Sequence, residues 1–375
     1  MTEHDERTAL GLMSGTSLDG IDAALLRTDG RGRVLPGAWA SSAYDAGLRD
    51  RLRASLGGRG DVMAVQRDVT IAHAEAVAAL LAEAGVAAEE VDVIGFHGHT
   101  IVHRPDQAIT WQIGDGALLA ERTGIDVICD LRSRDVAAGG QGAPLVPLYH
   151  AALATPLDRP LAVLNLGGVG NVTWLGKAGL REDGQGEDGL GGDGAIRAFD
   201  TGPGNALIDD WVARHGGGRF DADGALARAG TVHADILAGL LDNPYFDRPP
   251  PKSLDRDDFA GAVAALDGLS AADGAATLTA FTVAAVVRAR DHLAEVPRRW
   301  LVGGGGRHNP VLMAGLAAAL GVPVEPVEAV GWQGDALEAQ AFAYLAVRAL
   351  DGLALSLPGT TGAPRPITGG ALHRH

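Results

Sequence analysis

Residues 9–26 set the loop Ser14-Gly-Thr-Ser-Leu-Asp-Gly20 between two apolar, β-prone runs. Glycine permits close approach to the backbone, so amides from Gly15 onward, with the hydroxyls of Thr16 and Ser17, form a donor set suited to phosphate. Asp19 and Asp22 add the oxygen ligands that Mg2+ prefers, held directly or through water. The loop lacks the Gly-Lys-Ser/Thr ending of a Walker motif, and a strand rather than a helix follows it. By itself, such a hairpin is more often a plain tight turn.

A second strand-loop-strand, Leu161-Ala-Val-Leu-Asn-Leu-Gly-Gly-Val-Gly-Asn-Val-Thr-Trp-Leu175, again places small and polar residues between apolar runs: Gly167, Gly168, Gly170 and Asn171. Two such hairpins facing one another could grip a polyphosphate from both sides. A third cluster, Leu301-Val-Gly-Gly-Gly-Gly-Arg-His-Asn-Pro310, ends a strand and precedes a helix. Gly304 and Gly305 there leave room for a flat ring against backbone, and a flexible strand-to-helix turn would look the same.

The candidate acids and bases each admit two readings. Asp200, in Ala198-Phe-Asp-Thr-Gly-Pro-Gly-Asn205, precedes a helix-start signature. A helix macrodipole would hold it ionised as a proton acceptor, and a simple N-cap would look alike. Glu338 shares a helical face with Phe342 and Leu345, which would aim it into a cleft, while Asp335-Ala-Leu-Glu338 also fits a capping box. His97, His99 and His103 could suggest zinc, but no carboxylate or thiol follows at metal-site spacing. Arg134 and Asp135 stand in a run that also reads as a solvated charge cluster. The lone cysteine, Cys129, reads as a buried strand residue rather than a nucleophile.

The elements that must position these groups alternate strand and helix, the pattern of an α/β protein. The clearer strands are expected at 91–96, 125–129, 161–166 and 300–302. Helices are expected at 62–84, closed by Gly85, at 277–294, at 309–320 with Asn309-Pro310 as its start, and at 336–350. Residues 176–194, dense in Gly, Asp and Glu, read as a surface loop. With 375 residues, two domains are expected. A net charge of −16 argues against a nucleic-acid partner. The N-terminus lacks a signal-peptide core and no run approaches the roughly 18 apolar residues of a membrane span, so a cytoplasmic protein without membrane contact is expected.

The order first hairpin, second hairpin, glycine strand-turn-helix resembles the actin-like ATPase and sugar kinase superfamily. Within it the chain resembles the anhydro-N-acetylmuramic acid kinase family. That resemblance is carried by Met13-Ser-Gly-Thr-Ser-Leu-Asp-Gly-Ile-Asp22, Phe96-His-Gly-His-Thr100, Gln112-Ile-Gly-Asp115, Asp130-Leu-Arg-Ser-Arg-Asp-Val-Ala-Ala-Gly-Gly-Gln-Gly-Ala-Pro-Leu-Val-Pro147, Phe199-Asp-Thr-Gly-Pro-Gly-Asn205, Pro251-Lys-Ser253 and Leu337-Glu-Ala339. The family usually has Gln where this chain has His99.

The resemblance implies two actin-like (ribonuclease H-like) lobes with a nucleotide cleft between them: residues 1–158 plus 340–375, and 159–339. It implies ATP-dependent opening of the 1,6-anhydro ring of anhydro-N-acetylmuramic acid with phosphorylation of O6, in cell-wall recycling, by a homodimer. ATP would lie on residues Gly15 to Asp22, Leu18 and Ile21 included, on Gly167, Gly168, Gly170 and Asn171, and on Gly304 and Gly305. Mg2+ would sit near Asp19 and Asp22. Asp200 would be the base for water, and His97, Arg134, Asp135 and Glu338 would bind the sugar, Arg134 through its lactyl carboxylate and His97 as a neutral hydrogen bonder. A hydroxyl kinase that leaves the ring closed, and a nucleotide-gated regulator, are the alternatives.

Overall fold

The computed structural model describes residues 6–15, 18–177, 194–254 and 256–375. Thr16, Ser17 and most of the 176–194 segment thus lie outside the described residues. Among those described, one compact unit takes the chain up to Pro156 and again from Ala336, and the other takes Leu157 to Asp335. Because the return falls at Ala336, Glu338 belongs with the first unit.

The first unit is built on β1 (Arg7–Ser14), β2 (Gly20–Thr28), β3 (Val34–Ala43), β4 (Val93–Arg104), β5 (Ile109–Ile113) and β6 (Val127–Cys129). β1, β2 and β3 form an antiparallel meander. β4 runs parallel to β1 and β6 parallel to β4, and the C-terminal strand Ala371–His373 closes the edge. β5 folds back on β4. Side chains alternate across the sheet, so Leu10 and Leu12 join Val65, Val69, Val77 and Leu80 of helix Val62–Ala84 in one core. Gly11, on the opposite face, meets helix Leu337–Leu350. A Cβ there would stand 1.7 Å from the Ala339 carbonyl oxygen, and one on Gly95 of β4 2.0 Å from that of Phe342. Bare backbone at these two positions lets the helix that carries Glu338 lie on the sheet.

The second unit repeats the plan with β7 (Leu161–Leu166), β8 (Val169–Leu175), β9 (Ile196–Pro203), β10 (Trp300–Gly303) and β11 (Val324–Pro326). β7, β8 and β9 are antiparallel, while β10 and β11 extend parallel from β7. Both sheets therefore have the ribonuclease H-like order, a three-stranded meander continued by parallel strands on the side of its first strand. Leu164, Leu166, Phe199, Trp300 and Val302 are fully buried in the second core with Val286 and Leu316.

Local signals set several boundaries. Helix Val62–Ala84 closes at Gly85 with φ 66°, and Asn309 caps helix Pro310–Leu320 by accepting from the amides of Val311 and Leu312. The helix expected at 277–294 instead spans Ala271–Ala289, because Ser270 caps it by accepting from Asp273 N. The strand expected at 91–96 continues to Arg104, since β5 pairs with its second half. His97, His99 and His103 are thus strand residues. Cys129 is half-buried rather than buried, and burial with Asp130 and Asp115 nearby pushes its thiol up to about 11, unsuited to nucleophilic work. Among the described residues no helix is long and apolar enough to cross a membrane.

Candidate active site

In the first unit the hairpin ladder runs to the pair Met13–Asp22 and leaves Gly15, Leu18 and Asp19 beyond its end. The base of the loop is tied on two sides. Ser14 Oγ is buried, accepts from the Tyr44 hydroxyl at 2.7 Å and bonds His99 Nδ1 at 2.9 Å. Tyr44 N donates to the Asp19 carbonyl, and Leu18 holds a left-handed φ of 61°, costly for a residue with a side chain. Burial lowers His99 to about 4 and so keeps it neutral. Asp19 is exposed; Asp22 is half-buried and accepts from Ser41 Oγ.

In the second unit Gly167 and Gly168 form the turn between β7 and β8. A Cβ on either would meet no heavy atom closer than 3.6 Å, so protein packing does not demand glycine there. Gly170 differs, since its Cβ would press on Thr201 Oγ1 at 2.7 Å. Register then builds the chemistry: Asn165 of β7 pairs with Asn171 of β8, which pairs with Asp200 of β9. Directly opposed residues share a sheet face, so these three polar side chains form one half-buried row leading from the turn. Behind it, Asn205 and Ala206 at the start of helix Ala206–Arg214 donate backbone N–H bonds to the carbonyls of Gly167 and Gly168.

Asp200 is therefore a strand residue, and the helix-terminus reading of it is corrected. Asn205, not Asp200, stands at the cap position. Burial pushes the Asp200 carboxyl up to about 7, opposed in part by the Leu254 N–H donating to Oδ2 at 2.8 Å. Desolvation outweighs the single donor, which leaves a carboxylate able to take and release a proton near neutrality.

The third glycine cluster divides as well. A Cβ on Gly304, whose φ is 71°, would lie 2.3 Å from Asn165 Oδ1, and one on Gly306 2.6 Å from Leu166 Cβ. Close packing explains both. Gly305 is open, with Asn205 Nδ2 nearest at 3.8 Å. Arg307 anchors the turn, donating to Glu328 at 2.9 Å and to Asp335 at 2.8 Å. Asp335 is thereby engaged, and helix Leu337–Leu350 starts without a side-chain cap, so the capping box does not form.

Of the expected sugar groups, the first unit gathers His97 and Glu338 around a residue the sequence did not single out, Arg132. Its Nε and Nη2 donate to His97 Nε2 at 3.1 and 3.0 Å, and Nη1 donates to the Gly142 carbonyl at 2.6 Å. His97 Nδ1 bonds the Gly98 carbonyl at 3.0 Å, so both ring nitrogens are engaged. Burial and the Arg132 cation hold His97 well below the usual histidine range, hence neutral. Burial lowers Arg132 to about 10, against the pull of Glu338 and Asp135, so it stays charged. His97, Gln112, Asp130 and Trp111 line a cavity of ≈ 250 Å³.

Asp135 departs from expectation. It is 1% exposed, and its oxygens accept from Gly142 N at 2.6 Å, Thr361 Oγ1 at 2.6 Å and Ser356 Oγ. It knits the 133–142 turn to the 356–361 segment and has little left to offer a sugar. Arg134 beside it is exposed. The three histidines do not converge either, for His103 Nδ1 turns to Thr110 Oγ1 at 3.0 Å.

A duplicated ribonuclease H-like sheet, each copy presenting a glycine hairpin from its first two strands, is the architecture of the actin-like ATPase and sugar kinase class. The match to one family runs nearly end to end. Residues 7–375 fit the family described as Anhydro-N-acetylmuramic acid kinase, and the chain belongs to it. Two relatives called anhydro-N-acetylmuramic acid kinase are similar along nearly their whole length. That of Rhizorhabdus wittichii is 55% identical over 98% of this chain and 98% of its own. That of Rhodospirillum rubrum is 58% identical over 96% and 93%. A solved structure, component A of the Acidaminococcus fermentans (R)-2-hydroxyglutaryl-CoA dehydratase, covers 91% of this chain and 98% of its own with a TM-score of 0.49 and 13% identity, a likeness too distant to bear on function.

Proposed function

We propose that this chain opens the 1,6-anhydro ring of anhydro-N-acetylmuramic acid with water while transferring the γ-phosphoryl group of ATP to O6. The products are N-acetylmuramic acid 6-phosphate and ADP, a step of cell-wall recycling. The observation that carries the reading is the placement of Asp200, in register beside Asn171 of the second hairpin with its carboxyl raised to about 7. Asp200 takes a proton from water as the oxygen bonds to C1; the C1–O6 bond breaks, and O6 receives the phosphoryl group. An acetal carbon is a poor electrophile until its leaving oxygen is relieved of charge, and phosphoryl transfer relieves it.

ATP would be held by Gly15 to Asp22 in the first unit and by Gly167, Gly168, Gly170 and Asn171 in the second, with the open backbone at Gly305, and Gly304 beside it, against the adenosine. Asp19 and Asp22 fit a Mg2+ that keeps water and takes phosphate oxygens, because they are two carboxylates on one hairpin, Asp19 exposed and Asp22 half-buried. When bound, the cation would neutralise charge on the phosphates. Arg134, exposed and cationic, would pair with the lactyl carboxylate, while Glu338 and His97 contact the sugar, the latter once Arg132 yields its Nε2. ATP supply places the reaction in the cytoplasm.

A homodimer is part of this reading. Beside helix Ala234–Leu241, whose Ile236, Leu237, Leu240 and Leu241 pack half-buried on the core, an apolar face opens into a cavity of ≈ 650 Å³ lined by Val232, Leu241, Val283 and Val287. A second copy would cover that face.

The test is incubation with ATP and anhydro-N-acetylmuramic acid in 18O-labelled water. The expected product has gained phosphate plus one labelled water. A product carrying phosphate alone would replace ring opening by simple hydroxyl phosphorylation.

A further inference from the structure

Behind Asp200 lies a buried cation outside the residues proposed for the phosphates and the sugar. Lys252 is 7% exposed, and its Nζ donates to the carbonyls of Tyr245 at 3.0 Å and Phe246 at 3.1 Å. It stands 4.6 Å from the centre of the Tyr245 ring. His292 Nε2 lies 3.3 Å away and is itself 2.8 Å from the Phe246 carbonyl, so that nitrogen carries the proton and donates to the same oxygen. Asp247 and Arg248 are the other charges near the ammonium, and no carboxylate among the described residues pairs with it. Burying an ammonium against carbonyls alone is costly, which marks the arrangement as one with a task.

That task is visible in the backbone. Asp200 N donates to the Lys252 carbonyl at 3.0 Å, Leu254 N donates to Asp200 Oδ2 at 2.8 Å, and the Tyr245 hydroxyl donates to the Asp200 carbonyl. Residues 245–254 thus form a strap bonded three times to β9 at Asp200, and Lys252 pins the strap's start to its end.

We infer that Lys252 is a positioning residue: by closing this strap it aims the Leu254 N–H at the Asp200 carboxylate and fixes that side chain beneath the second hairpin. The inference deepens the reading of Asp200 as base and rests on it for its effect on turnover. Lys252 acts through geometry, since burial and the Leu254 donor are the influences that set the Asp200 carboxyl.

The experiment compares wild type, D200N, K252M and L254P, the last removing the N–H that reaches Asp200 along with the Leu254 side chain. Activity is followed against pH, and the Asp200 carboxyl carbon is titrated by NMR. In K252M, kcat should fall at least tenfold with KM for ATP within twofold, and the Asp200 midpoint should rise by half a pH unit or more in both measurements. L254P should give the same rise, which sets the shift expected when the donor is lost. An NMR midpoint that K252M leaves unmoved overturns the inference, whether or not L254P moves it and even with a lowered melting temperature, because a merely structural lysine would do no more. Failure of the base reading looks different: D200N would then keep its turnover, while the NMR midpoint still decides whether Lys252 positions the carboxylate.

Discussion

Asp135 and Asp200 have the same side chain and opposite fates. Three donors converge on Asp135, and it serves as a fixed anion at the centre of a buried knot. Among the described residues one donor, the Leu254 N–H, reaches the Asp200 carboxyl, so desolvation prevails and it is raised from 3.8 to about 7. Turnover should therefore fall as pH drops through about 7, and D200N should lose roughly 10²–10⁴-fold in kcat while still binding ATP, checked by calorimetry and steady-state kinetics. The sign for stability is reversed from that of a paired carboxylate. A raised pKa means the native state prefers the protonated form, so stability is lost between pH 4 and 7 as the group is forced to ionise. D200N should melt higher than wild type at pH 8 and equally at pH 3.5. D135A, by contrast, strands three donors and should cost about 2–4 kcal/mol in urea unfolding. The type of residue was legible in each case and the environment was not, because a pKa depends on neighbours brought from far along the chain, here Ser356 and Thr361 for one and Leu254 for the other.

At the scale of elements, short-range chemistry decided much. Gly85, Asn309 and the two glycine hairpins act within a few residues, and the structure forms a turn, a cap and two hairpin tips where they predict. N309A should cost about 1 kcal/mol in thermal or urea unfolding and leave kinetics unchanged, since the lost bonds cap one helix only. Gly11 is a different matter. A G11V side chain would enter the space of the Ala339 carbonyl, 1.7 Å from an added Cβ, and must push helix Leu337–Leu350 off β1. Loss of at least about 3 kcal/mol is expected, together with a raised KM for the sugar because Glu338 moves with that helix. Nothing near Gly11 in sequence announces this contact, whose partner lies more than 300 residues away.

For the whole molecule, two copies of one sheet order explain why the glycine hairpins recur, since each is the first corner of its meander. The apolar cavity beside helix Ala234–Leu241 belongs to this scale too. Val232, 43% exposed, borders it, and V232D should convert a dimer to monomers in sedimentation equilibrium without lowering monomer stability by more than about 0.5 kcal/mol. An unchanged dimer would place the subunit contact elsewhere.

By itself the sequence determined the two hairpins, the glycine turn after β10, the alternation of strand and helix, and through its motifs the family. These depend on backbone freedom and periodicity, which act locally. Only the tertiary structure decided which carboxylate is raised toward neutrality and which is held in a knot, that Arg132 rather than Asp135 faces His97 and Glu338, and that Lys252 stands behind Asp200. Each of those outcomes is a balance of desolvation against hydrogen bonds from distant residues, and that balance exists only once the chain has folded.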